Sequence, residues 1–182
     1  MSKPHTGKYS ASLDRFAVVV TWMVSVLLLG QAFGSVLLVL LSETADVSPW
    51  ALVAIVITAP FVVYILWLYR IRHYELTADS LMIRRSVRTR TIPLQVIEEV
   101  LLPDDKDLKW TLRLFANGGV FGYTGFFTNP KFGRMSWYAT RRKQLIMLRL
   151  KSGEKVVITP DDMNLAVHIK AGIDSQQTKT SA

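Results

Sequence analysis

FAVVVTWMVSVLLLGQAFGSVLLVLL, from Phe16 to Leu41, runs for 26 residues without a charge. A helix rises about 1.5 Å per residue and needs about 20 residues to cross the hydrocarbon core of a bilayer, so this segment predicts a membrane-spanning helix with some tilt. A secretory signal peptide has a shorter apolar region, of about 7 to 15 residues, and ends at a small-x-small site. If Ala45 were the residue before the cut, Glu43 would occupy the −3 position, which predicts that the helix is retained.

Working outward, Ser42 to Pro49 reads SETADVSP, a short acidic connection. Its Ser48-Pro49 predicts a helix start, with the serine oxygen capping free amides and proline at the first helical position. The second span, WALVAIVITAPFVVYILWLY, extends from Trp50 to Tyr69. Pro60 predicts a kink near its middle, and Tyr64, Trp67 and Tyr69 suit the headgroup level at its far end. Lys3, Lys8 and Arg15 precede the first span and Arg70 and Arg72 follow the second, whereas the connection has neither residue type. Positive flanks stay on the cytoplasmic side, so a multi-pass protein of the inner (cytoplasmic) membrane with both termini cytoplasmic is expected. Gly30 and Gly34 form a G-x-x-x-G step that lets another helix approach closely. The partner is either Ala51, Ala54 and Thr58 of the second span or a second copy in a homo-oligomer.

The whole 182-residue chain is 50% apolar with a mean hydropathy of +0.26 and a net charge of +8, which excludes a disordered protein. Segments 1–15 and 16–69 carry +2 and −2, so the entire excess belongs to the region after Tyr69. The absence of cysteine excludes disulfides, thiolate nucleophiles and cysteine metal sites.

That region reads first as β and then as α. Strand-like runs are His73 to Thr77, Ser80 to Arg85, Arg88 to Ile92, Ile97 to Leu102, Trp110 to Ala116 and Arg134 to Ala139. QLIMLRL and KVVIT, joined by Lys151-Ser152-Gly153-Glu154, form the clearest hairpin. Thr159-Pro160-Asp161-Asp162 then predicts a capped helix start, and Met163, Leu165, Ala166, Val167, Ile169 and Ile173 share one arc of the helix. The expected organisation is a cytoplasmic tail (1–15), a helical hairpin (16–41 and 50–69), a cytoplasmic domain (70–173) and a disordered tail (174–182).

The stretches YELTADSLMIRR with TIPLQVIEEV, LFANGGVFGYTGFFTNPKFGRMSWYAT and LIMLRLKSGEKVVITPDD resemble the bacterial pleckstrin-homology (PH)-like domain proteins. The resemblance implies a membrane-anchored α+β architecture: a transmembrane hairpin followed by a PH-like antiparallel β-barrel or sandwich capped by one C-terminal helix. It also implies a non-catalytic module and brings no ligand with it.

Two sets of residues stand out as candidate sites. Arg84, Arg85, Arg88 and Arg90 form the densest basic run, and Arg85-x-x-Arg88-x-Arg90 is similar to the basic-x-basic signature with which some PH domains grip phosphoinositides. Arg84, Arg88 and Arg90 share a parity, giving one basic face if the turn keeps register. The second set lies in the glycine-aromatic stretch, where Phe121, Tyr123, Phe126 and Phe127 either plug a small barrel or form a loop for the membrane interface or a partner. As neighbours on an extended segment, Phe126 and Phe127 are expected to point to opposite sides. The stretch matches neither a dinucleotide fingerprint nor a Walker loop. His5, His73 and His168 have no nearby carboxylates that would build a metal site or triad, and Asp104, Asp105 and Asp107 read as a solvated turn.

These features predict no enzyme, no cofactor, no metal and no nucleic-acid partner. They favour a membrane-anchored interaction module that presents a basic domain at the inner leaflet and binds a protein partner. An anionic-lipid headgroup module is the alternative, and an enzyme acting on a membrane substrate comes third.

Overall fold

Asp14 starts the first long helix: its Oδ1 accepts a 2.7 Å hydrogen bond from the Ala17 amide, and a carboxylate suits the positive end of the helix dipole. The computed structural model describes residues 6–41, 48–104 and 106–180. His5, the connecting residues Glu43 and Asp46, and Asp105 lie outside them.

Helix α1 (Arg15–Leu41) and helix α2 (Pro49–Leu68) are both long and apolar enough to cross a membrane. Their side chains face outward: Trp22, Leu27, Phe33, Leu40 and Trp50 are all more than two-thirds exposed. Proline takes the first turn of α2 as expected, but Ser48 caps through its carbonyl, which accepts from Ala51 N at 2.9 Å, and not through its side chain. The helix is continuous through Pro60.

Among the described residues ten strands follow the spacing of apolar residues, two more than the eight runs read from the sequence, with Gly7–Ser10 and Tyr123–Asn129 as the additions. Strands β1 (Gly7–Ser10), β2 (Ile71–Leu76), β3 (Ser80–Arg85) and β4 (Arg90–Pro93) form one antiparallel sheet in that order. The second sheet has the order β5-β9-β10-β8-β7-β6. Its strands are β5 (Ile97–Leu101), β6 (Leu112–Gly118), β7 (Tyr123–Asn129), β8 (Gly133–Ala139), β9 (Ile146–Leu150) and β10 (Lys155–Ile158). The β9–β10 hairpin inserts between β5 and β8, so β10 runs parallel to β8 and the sheet is mixed, not purely antiparallel. The two sheets pack as an unclosed sandwich capped by α3 (Asn164–Thr180).

The near-continuous apolar character of β9 and β10 has a structural cause, because the centre of the second sheet is buried on both faces. Ile146, Leu148, Val156 and Ile158 meet Tyr74, Leu81, Ile83 and Ile92 of the first sheet together with Leu165, Ala166 and Ile169 of α3. Met147 and Val157 point the other way, into a second core with Tyr123, Phe127, Met135, Trp137 and Ala17 of α1.

Four expectations need correction at the ends of the chain. The first segment is not a free tail, because β1 pairs with β2, buries Tyr9 and places its hydroxyl 2.6 Å from His168 Nδ1. Thr159 does not cap α3: its hydroxyl accepts from the Thr140 amide at 2.8 Å, and the helix starts at Asn164, whose amide donates to Asp162 Oδ1. Val167, expected on the apolar arc, is exposed. The helix also continues past Ile173 to Thr180, where a disordered tail is expected. Gln176 Nε2 donates to Ala78 O and Asp79 Oδ1, fastening this polar turn to the β2–β3 connection.

Tyr74 ties the two sheets together. It is fully buried, donates to Tyr138 O at 2.7 Å and accepts from Thr159 N at 3.1 Å. Burial pushes its hydroxyl up to about 12, although the hydrogen bonds from Thr159 pull the other way. The folded state therefore prefers the neutral phenol more than the unfolded chain does. That stability is fully present below pH ~10 and is lost as pH rises towards about 12, by up to ~1.4 kcal/mol per pH unit. Denaturant melts across this window should show a shallower alkaline decline for Tyr74→Phe, which at pH 7 is weaker by ~1–3 kcal/mol from the two lost hydrogen bonds. An unchanged alkaline slope would contradict this.

Candidate functional site

The glycine-aromatic stretch folds mostly as strand, with Tyr123–Asn129 forming β7 and Phe121 left in the β6–β7 connection. β7 pairs with β6 on one side and β8 on the other, and alternation then sends Phe126 and Phe127 to opposite faces. Phe127 is 5% exposed, its ring centroid 4.6 Å from that of Trp137. Phe126 is 41% exposed, with the Arg134 guanidinium 4.5 Å from its ring centroid. Tyr123 is buried, and its hydroxyl lies 3.3 Å from each carboxylate oxygen of Asp14. Burial, with the Asp14 charge second, pushes that hydroxyl up to about 12. Phe121 sits half-buried at the β6–β7 tip with a φ of 56°, and its amide donates to Thr21 Oγ1 of α1 at 2.8 Å. The tip therefore rests on the first turns of α1.

β6 is an edge strand, and both its faces are exposed. Leu112, Leu114 and Phe115 are 66%, 57% and 86% exposed, with Trp110 just before them also exposed. The register shifts between Arg113 and Phe115, so Leu114 is the extra residue of a bulge. Beside this edge lies an open, mainly apolar cleft of about 620 Å³. Leu66 and Tyr69 at the end of α2 form one wall, Phe115 and Phe126 the other, and Arg85 and Tyr138 line its polar part.

The four arginines do not share one face. The turn between β3 and β4 breaks the parity: Ile83 pairs with Arg90, while Arg84 lies opposite His73. Arg84 donates to Glu75 at 2.9 Å, which holds that carboxyl below its usual range. Arg90 donates to Glu154 at 2.7 Å and to the Tyr138 hydroxyl at 2.8 Å. Arg85 and Arg90 both stack on Tyr138, with guanidinium carbons 5.4 and 5.1 Å from the ring centroid. Arg85 Nε donates to Arg88 O, and Arg88 itself is exposed. Two of the four charges are thus matched by carboxylates.

Gly30 and Gly34 leave room around them: a Cβ on either would meet nothing within 4 Å. Gly34 instead lines a groove between the helices with Leu38, Leu52 and Ile55. Among the described residues no three His, Asp or Glu side chains come together as metal ligands.

A second cavity, of about 390 Å³, opens on the opposite face of the β6–β8 sheet. Lys109, Arg113 and Arg142 line it together with Tyr123, Phe127 and Trp137. Sequence inspection does not group these cations, because they come from a loop, an edge strand and the segment after β8, with no local motif.

A family model described as a bacterial PH domain matches residues 72–168, more than half of the chain. No curated protein and no solved structure matches.

Proposed function

We propose, for a chain that belongs to the bacterial PH domain family, that it serves as a membrane-anchored interaction module whose partner is an extended polypeptide segment docked on β6. PH domains are generally non-catalytic modules that commonly bind lipids or proteins. In this reading α1 and α2 span the inner membrane with both termini in the cytoplasm, and the basic domain stands at the inner leaflet.

One observation carries the choice of a protein partner: β6 is a sheet edge with no strand on its outer side, and its exposed Leu112, Leu114 and Phe115 lie on the cleft side. Its outward N–H and C=O groups are a template for another strand, and the apolar side chains and the adjacent cleft would grip alternate side chains of that strand. Acyl chains could cover the side chains but could not satisfy the backbone groups. The arginine run supports a headgroup grip less well, since Arg84 and Arg90 already hold carboxylates.

A photo-crosslinking residue placed at Leu112 of the full chain, in its native membrane, should give one discrete protein adduct. The same residue at Glu98, on the opposite edge strand β5, should give none. Leu114→Lys should reduce the Leu112 adduct at least about tenfold, the loss expected when a buried apolar contact is replaced by a charge. An adduct of twice the chain mass would identify the partner as a second copy. Lipid adducts alone, or equal labelling at both edges, would refute docking on β6.

A further inference from the structure

We propose that the cavity on the face of the β6–β8 sheet opposite the apolar cleft is a binding site for a phosphate-bearing anion, held by Lys109, Arg113 and Arg142 and by the Trp137 indole N–H. Two independent observations meet there. The first is charge: Lys109, Arg113 and Arg142 line one cavity, and none of the three forms an ion pair among the described residues. The second is an orphaned donor. Trp137 is 5% exposed and lines the cavity, and its Nε1 is buried without a hydrogen-bond partner. Buried donors are nearly always satisfied, so an unsatisfied one on a residue that lines a basic cavity points to an acceptor supplied by a ligand.

The surroundings fit an anion and not a cation. Asp14 lies beside the lining residues Tyr123 and Arg142, and its oxygens accept from the Ala17 amide, the Tyr123 hydroxyl and the Arg142 amide. The guanidinium of Arg142 lies over two rings, 4.7 Å from the Phe16 centroid and 5.0 Å from that of Tyr123. Guanidinium forks match phosphate oxygens, and Lys109 adds a point charge. Thr111 lines the same cavity and adds a hydroxyl.

A phosphoester could come from a lipid headgroup or from solution. The lipid source rests on the reading that α1 crosses the bilayer, because Phe16 in its first turn would then sit at headgroup level. The anion site itself does not depend on it.

The test uses the full chain in phosphatidylcholine nanodiscs with labelled indole nitrogens, the Trp137 signal being assigned by its loss in Trp137→Phe. In one arm sn-glycerol 3-phosphate is added; in the other, phosphatidylglycerol replaces part of the phosphatidylcholine. The Trp137 indole signal should move saturably. Lys109→Gln and Arg113→Gln, both at exposed side chains, should each weaken that response at least about tenfold while leaving the melting temperature unchanged. Movement in the lipid arm alone assigns the leaflet as the source, and movement in the soluble arm assigns a free phosphoester whatever the helices do. A Trp137 signal that stays still in both arms, or a response that both substitutions leave unchanged, would overturn the site.

Discussion

Phe127→Ala should destabilise the domain by ~3–5 kcal/mol, whereas Phe126→Ala should shift stability by less than ~0.5 kcal/mol. The two side chains are chemically identical neighbours, and only the side of the sheet differs. Phe127 lies in the core formed with Tyr123, Met135, Trp137, Leu108 and Ala17 of α1, so truncation removes buried area and leaves a cavity against Trp137. Phe126 is 41% exposed on the cleft side, and its loss removes a cation–π contact with Arg134 and part of the cleft wall. Thermal melts of both variants in detergent should therefore separate by many degrees. The Leu112 crosslink should be weakened by Phe126→Ala although that variant melts normally. Two variants that melt alike would show that the strand does not hold these residues on opposite faces.

What could be read in the sequence depended on the range of the signal. The helices declare themselves by length without charge, and the β9–β10 hairpin by Ser152-Gly153 between apolar runs, with Gly153 at a φ of 83°. β1 is silent because four residues with a single buried side chain, Tyr9, carry no periodicity. β7 was hidden by its glycines, which suggest a loop when counted and a strand only when the pairing to β6 and β8 is seen. The arginine run misled through parity, since one turn was enough to send Arg84 and Arg90 to different sides. The cavity cations were illegible for a different reason: Arg113 and Arg142 are 29 positions apart, and only the β6–β7–β8 meander brings them to one opening. Composition located the positive charge in the correct domain, but topology decides which charges remain unmatched.

Gly125→Ala should cost ~1–5 kcal/mol and loosen β6 from the sheet. An alanine in a strand normally gains stability over glycine, because the unfolded chain loses less entropy on folding. Here two penalties oppose that gain. Gly125 has a φ of 126°, which side chains rarely adopt and which costs ~1–3 kcal/mol. Its Cβ would also lie 2.4 Å from the Phe115 carbonyl oxygen and 2.6 Å from Ala116 Cα, so backbone, not a flexible side chain, would have to move. Overpacking of that kind adds a further ~1–3 kcal/mol. The displaced backbone is β6 itself, beside the bulge at Leu114, and as an edge strand it has no second neighbour to hold it. Amide exchange over Leu112–Gly118 should accelerate, and the Leu112 crosslink should disappear with it. Gly153→Ala supplies the comparison: it shares a positive φ, 83°, but has nothing within 4 Å of a Cβ, so it should lose only the conformational cost. Equal losses in the two variants would mean that backbone strain alone, and not the close approach of β6, makes glycine necessary at position 125.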